Sequence, residues 1–144
     1  MNAQILERTP VVLLVEDSAA DTYLVRQSLR KYLKEFELKV MDDGEKAFHA
    51  IEELEADKST KCPSLMLLDL NLPRRSGHEV LHRLRSSPKC SNVPVVILTS
   101  SDSPADRAET TRLGATAYFR KPHDLESFMR IGEVVQGILG AATE

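Results

Sequence analysis

Three things are scarce along this chain: an excess of charge of either sign, long apolar runs, and cysteine. Its 144 residues carry 19 basic and 22 acidic side chains for a net charge of −3. No long run of one sign breaks that mixture, so the electrostatic footprint of a nucleic-acid binder is missing. Every apolar stretch is far shorter than the roughly 20 residues a bilayer span requires, and the N-terminus, MNAQILERTP, lacks the apolar core of a signal peptide. A cytoplasmic protein with no nucleic-acid and no membrane partner is expected. The only cysteines, Cys62 and Cys90, fall in segments that read as loops, with neither C-x-x-C nor metal-type spacing. Reduced thiols are the expectation for that compartment. The length suits one domain, residues 1–144 with a core of about 10–140, able to bury a core of its own.

What is present is an alternation. Short β-branched or Leu-rich runs at 11–15, 37–41, 65–69, 93–98 and 115–119 read as strands. Amphipathic segments near 18–33, 44–56, 77–86, 104–113 and 124–139 read as helices, and residues from Gly140 on are expected to fray. Alternating strands and helices give an α/β fold with a parallel sheet covered on both faces. Residues 57–64, DKSTKCPS, form the longest connector. No internal repeat or low-complexity segment is visible.

In an open parallel sheet, ligands bind beyond the carboxyl ends of the strands. Strand one ends in Glu16-Asp17, strand three in Asp69, strand four in Thr99-Ser100, and strand five leads through Arg120 to Lys121-Pro122. If these strands are neighbours, three carboxylates, a hydroxyl and an ammonium group converge. Clustered carboxylates resist simultaneous ionisation and call for a cation. Mg²⁺ suits an all-oxygen set and keeps waters that phosphate oxygens can replace. Lys121 adds a point charge suited to a phosphoryl oxygen. Such a basin supplies what phosphoryl transfer asks of a protein, positioning and charge neutralisation.

The segments LLVEDSAAD, LLDLNLPRRSG, VVILTSSDSPAD and LGATAYFRKP, in this order and spacing, resemble the receiver domains of two-component response regulators over essentially the whole chain. The resemblance implies a flavodoxin-like, doubly wound five-stranded parallel sheet in the order 2-1-3-4-5 with five helices. It implies Asp69 as phosphoacceptor, Glu16, Asp17, Asp69 and the Asn71 backbone carbonyl as Mg²⁺ ligands, and Lys121 as the phosphate-binding lysine. It also implies Thr99 and Tyr118 as the switch pair, a cis Lys121–Pro122 bond, and a tuning role for Ser101. The partner implied is a sensor histidine kinase or phosphotransfer protein, with self-catalysed transfer and autodephosphorylation in place of an enzyme activity on a separate substrate. With one domain, output is expected through docking to another protein. VEDSAAD and DLNLPRRSGHEVL, with the longer connector after the second helix, resemble the stand-alone receivers associated with bacterial phytochromes.

Competing chemistries are weaker. His78-Glu79-Val80-Leu81-His82 fits the H-E-x-x-H pattern of zinc peptidases. At about 100° per residue, however, Val80, Leu81 and Leu84 share the buried arc and turn both histidines toward solvent. No third ligand is apparent. A flavin mononucleotide carrier would need a phosphate loop where Glu16-Asp17 stand. A haloacid dehalogenase-like aspartyl phosphatase would want a second Asp where Asn71 lies. A non-phosphorylated interaction module is a further alternative.

The last helix, 124–139, carries a wide apolar stripe. Leu125, Phe128, Gly132, Val135 and Leu139 suffice to cover a sheet, while Ile131, Val134 and Ile138 extend it on one flank. That flank packs on the first helix or, with the edge strand around Phe119, forms part of a homodimer surface through the fourth helix, fifth strand and fifth helix.

Overall fold

The computed structural model describes residues 9–143; most of the N-terminal segment MNAQILERTP, in which no signal peptide is expected, lies outside them. Five strands form one parallel sheet in the order β2-β1-β3-β4-β5: β1 Val11–Val15, β2 Glu37–Met41, β3 Leu65–Leu68, β4 Val95–Thr99 and β5 Ala117–Arg120. The helices are α1 Ala19–Tyr32, α2 Gly44–Ala56, α3 Gly77–Arg85, α4 Pro104–Arg112, the single turn α5 Leu125–Phe128, and α6 Ile131–Thr143. The expected order and the alternation are both present. None of the helices among the described residues is long and apolar enough to cross a membrane.

Local chemistry sets the helix starts. Ser18, Asp43, Ser76, Ser103 and Asp124 each accept a hydrogen bond from the amide three residues on, which satisfies one of the free donors of a first turn. Alternation along the buried strands feeds two apolar layers. Leu13, Val15, Met66, Leu68, Val95 and Ile97 meet Ile51 of α2 and Val80, Leu81 and Leu84 of α3. Val12, Leu14, Leu65, Leu67, Val96 and Leu98 meet Val25 and Leu29 of α1 and Phe128, Ile131 and Val135. Strands buried on both faces read as continuous apolar runs, as β1, β3 and β4 do here.

Four expectations need correction. The helix expected at 124–139 breaks between Phe128 and Ile131, because the buried Ser28 hydroxyl donates to the Met129 carbonyl (2.6 Å) and accepts from the Gly132 amide (2.8 Å). The two backbone groups at the break are thereby satisfied by α1. A Cβ on Gly132 would fall 2.5 Å from the Ser28 carbonyl oxygen, so α1 and α6 approach as closely as a glycine allows. Second, the helix expected to end near residue 139 runs on past Gly140 to Thr143. Third, no cis peptide bond occurs among the described residues, so the Lys121–Pro122 bond is trans. Fourth, Cys62 and Cys90 are joined in a disulfide, against the expected free thiols. The connectors that follow α2 and α3 run side by side, and the Lys89 ammonium ties them by donating to the carbonyls of Leu54 (2.7 Å), Asp57 (2.8 Å) and Thr60.

Candidate functional site

The parallel register stacks the strand ends. Val15 pairs with Leu68, and the Asp69 amide donates to the Val15 carbonyl (3.1 Å), so Glu16 and Asp69 leave the sheet side by side. Thr99 pairs with Arg120, and the Lys121 amide donates to the Thr99 carbonyl (2.7 Å), which sends the lysine across the same end of the sheet. Glu16 (1% exposed), Asp69 (6%) and Thr99 are buried; Asp17 and Asn71 are exposed.

Lys121 is the hub. Its Nζ lies 2.8 Å from Glu16 Oε1, 2.8 Å from Asp21 Oδ2 and 3.2 Å from Asp69 Oδ2. Burial opposes its charge, yet the carboxylates of Asp21, Glu16 and Asp69 outweigh burial and hold its pKa above the ordinary value. Burial pushes the Glu16 carboxyl up to about 7, against the pull of Lys121 and of the Ser18 amide, which donates to Oε2 (3.0 Å). The Lys121–Glu16 pair is close but not aligned as a hydrogen bond, so Oε1 is buried without a donor among the described residues. Asp69 Oδ1 accepts from the Asn71 amide (3.3 Å). Each of Glu16, Asp17 and Asp69 offers an oxygen within 4.8 Å of the others. An all-carboxylate set with one undonated buried oxygen fits a hard divalent cation.

The backbone around Asp69 is tight. A Cβ on Gly77 would lie 2.2 Å from the Asp69 carbonyl oxygen, so α3 can start this close only with glycine there. Arg74, in the loop between Asp69 and α3, has φ 73°, a left-handed conformation uncommon outside glycine.

Beyond Thr99, the loop to α4 is tied by side chains. The Tyr118 hydroxyl donates to the Ser101 carbonyl (2.9 Å), and the Arg107 guanidinium lies over the Tyr118 ring at 4.3 Å. The Ser101 hydroxyl donates to Asp106 Oδ2 (2.5 Å), and His78 Nε2 lies 3.1 Å from Asp106 Oδ1. His78 therefore does not simply face water as expected, because its side chain is 29% exposed and paired with α4. His82 is exposed. Glu16, Asp17 and Asp69 form the one cluster of three metal-capable side chains among the described residues, and it excludes the histidines.

Of the flank offered as a dimer surface, Ile131 is fully buried in the core beneath α1, because α6 packs along that helix; this removes it from any surface. Phe119, Val134 and Ile138 are half-buried and rest on the same core. Asp21 is the site residue that sequence reasoning missed. Its signal, the carboxylate of SAAD, reads as a helix-start feature and gives no hint of a lysine 100 residues away.

Residues 12–131 match the family described as response regulator receiver domain. The chain belongs to that family. This receiver is 36% identical over 128 residues to response regulator Rcp1 of Synechocystis sp., an alignment covering 89% of this chain and 85% of Rcp1. The Mn²⁺-bound form of Rcp1 has a similar structure, with TM-score 0.77 at 36% identity over 90% of this chain and 91% of that one. So does the phosphorylated cyanobacterial phytochrome response regulator RcpA, with TM-score 0.83 at 28% identity over 93% and 96%. The bacteriophytochrome response regulator RtBRR gives TM-score 0.72 at 33% identity over 90% and 78%. The receiver thus shares its flavodoxin-like fold with proteins solved in metal-bound and phosphorylated forms.

Proposed function

We propose that this receiver takes a phosphoryl group onto Asp69 from the phosphohistidine of a sensor histidine kinase or phosphotransfer protein, and signals by changing which protein surfaces it docks. The observation that carries this reading is the convergence of Glu16, Asp21 and Asp69 on the single ammonium of Lys121 at the carboxyl end of the sheet. An Asp69 oxygen attacks phosphorus, the P–N bond breaks, and its electron pair returns to the imidazole of the donor, leaving an acyl phosphate. Lys121 neutralises a phosphoryl oxygen, and the Thr99 hydroxyl donates to another. Mg²⁺, held by Glu16, Asp17, Asp69 and the Asn71 carbonyl, supplies further charge neutralisation when bound. Removal of the phosphoryl group is autocatalytic, by water.

The switch is Thr99 with Tyr118. When the hydroxyl moves toward the phosphoryl group, it vacates space into which the aromatic ring turns, releasing the Ser101 carbonyl. Likeness to RcpA and RtBRR, which their names tie to phytochromes, supports a bacterial phytochrome as the kinase. Self-association through α4, β5 and the remaining flank of α6, Phe119, Val134 and Ile138, is part of the same reading, with Ile131 left in the core. The whole described chain acts as one cytoplasmic receiver unit. Intact-mass spectrometry after treatment with acetyl phosphate tests the site. The parent gains one phosphoryl group in Mg²⁺ and none after chelation, and Asp69→Asn gains none; equal labelling of parent and variant would defeat the assignment.

A further inference from the structure

We infer that Cys62 and Cys90 are a reversible dithiol–disulfide site, oxidised by small-molecule disulfides, whose closure fixes the connector 57–64 independently of phosphorylation. The two residues are bridged, with Cα atoms 5.7 Å apart and a sequence separation of 28. The bridge lies at the amino ends of β3 and β4, opposite the end of the sheet that carries Asp69. It joins the connector after α2 to the connector after α3.

The two sulfurs are not equivalent. Cys90 is 1% exposed, and Cys62 is only partly buried in the longest connector. A reagent in solution therefore meets Cys62 first, and Cys90 resolves from beneath. Two features prepare Cys90 for that role. The Ser87 hydroxyl oxygen accepts from the amides of Lys89 (3.3 Å) and Cys90 (3.1 Å), which fixes the turn. The adjacent Lys89 ammonium binds the carbonyls of Leu54, Asp57 and Thr60, which ties the residue before Cys90 to the connector that carries Cys62.

With glutathione disulfide as oxidant, the Cys62 thiolate attacks one sulfur, the S–S bond breaks, and glutathione thiolate leaves and takes up a proton. The Cys90 thiolate then attacks the Cys62 sulfur and expels the second glutathione. Two protein thiols lose two electrons and two protons, and one glutathione disulfide becomes two glutathiones. The connector so fixed supplies Asp57, Thr60 and Pro63 to one wall of a cleft of ≈ 420 Å³, whose other side includes Val11, Leu13 and Met41. Closure of the bridge sets the shape of that cleft; the phosphorylation basin at the far end of the strands is untouched.

The full-length protein is equilibrated, without denaturant, in buffers spanning ratios of glutathione to glutathione disulfide, then alkylated and weighed intact. The mass should interconvert reversibly between bridged and doubly alkylated forms with little mixed disulfide. Cys90→Ser should trap one glutathione on Cys62, and Cys62→Ser should stay unmodified. Trypsin should cut the reduced protein after the exposed Lys58 and Lys61 roughly tenfold faster than the bridged protein, since the connector opens locally. Phosphoryl acceptance from acetyl phosphate should match in the two redox states, so a failure of labelling at Asp69 would bear on the proposed function alone. Bridging that requires denaturant, glutathione capture by Cys62→Ser as fast as by the parent, or equal cleavage in both states would overturn the inference.

Discussion

The Asp21 backbone amide is taken by the Ser18 cap while its carboxylate reaches Lys121, so one residue both begins α1 and holds the site's lysine. Removing that charge while keeping the shape should cost about 1–2 kcal/mol, the worth of a charge-assisted hydrogen bond. Urea unfolding of Asp21→Asn checks this, and wild-type stability would separate Asp21 from the basin. Gly77→Ala should be worse, by roughly 2 kcal/mol or more, because the added methyl meets backbone at both Asp69 and Leu70. That Glu16, Asp17, Asp69 and Lys121 gather at one end of the sheet was legible in the sequence, because each stands at or just beyond the end of an apolar strand run. Asp21 and Ser28 were not, since their partners lie about a hundred residues away and a helix-start Asp or a mid-helix Ser has ordinary local explanations. Composition and compartment point to free thiols at Cys62 and Cys90, whereas the adjacency of the two connectors, which no local sequence pattern shows, joins them.

Among the elements, α2 and α3 are clasped by Arg83, whose two terminal nitrogens donate to the two Glu55 oxygens at 3.0 and 2.6 Å. The Arg83 guanidinium, helped by the Ser87 hydroxyl, pulls the Glu55 carboxyl from 4.5 down to about 2. A carboxyl depressed on folding contributes stability that is fully present above the unfolded value and lost as pH falls through the folded one. The clasp should therefore weaken between about pH 4.5 and pH 2. Glu55→Gln should flatten the fall of the melting temperature in that window and leave its pH dependence above pH 5 unchanged, as thermal scans across pH can show. The break between α5 and α6 was illegible in the sequence for a related reason. The apolar period runs on through Met129 and Ile131, and only the Ser28 hydroxyl, brought by α1, makes interruption the better arrangement. Because Ile131 is buried there, Ile131→Ala should cost about 2–5 kcal/mol by cavity formation. Chemical denaturation reads that loss, and sedimentation should find any self-association of the folded variant unaltered.

For the molecule as a whole, layering was readable because buried parallel strands and capped helices alternate with little ambiguity, whereas the strand order followed only from the resemblance of the strand-end segments to receiver domains. The setting of Tyr118, the proposed switch aromatic, was not readable, since it depends on the loop that β4 sends over it. Here its hydroxyl is held on Ser101, and the same loop is held by Asp106 and His78. Thr99→Ala should still accept a phosphoryl group, while amide exchange across β4 and β5 should no longer respond to it; a response equal to that of the parent would break the proposed coupling. The claim on which everything rests is that Asp69 forms the acyl phosphate. Borohydride reduces an aspartyl phosphate to homoserine, so peptide mapping of phosphorylated and borohydride-treated protein names the residue. Homoserine at position 69, absent after chelation and absent in Asp69→Asn, is the expected result; homoserine at another position, or an unmodified position 69 in phosphorylated protein, would contradict the account.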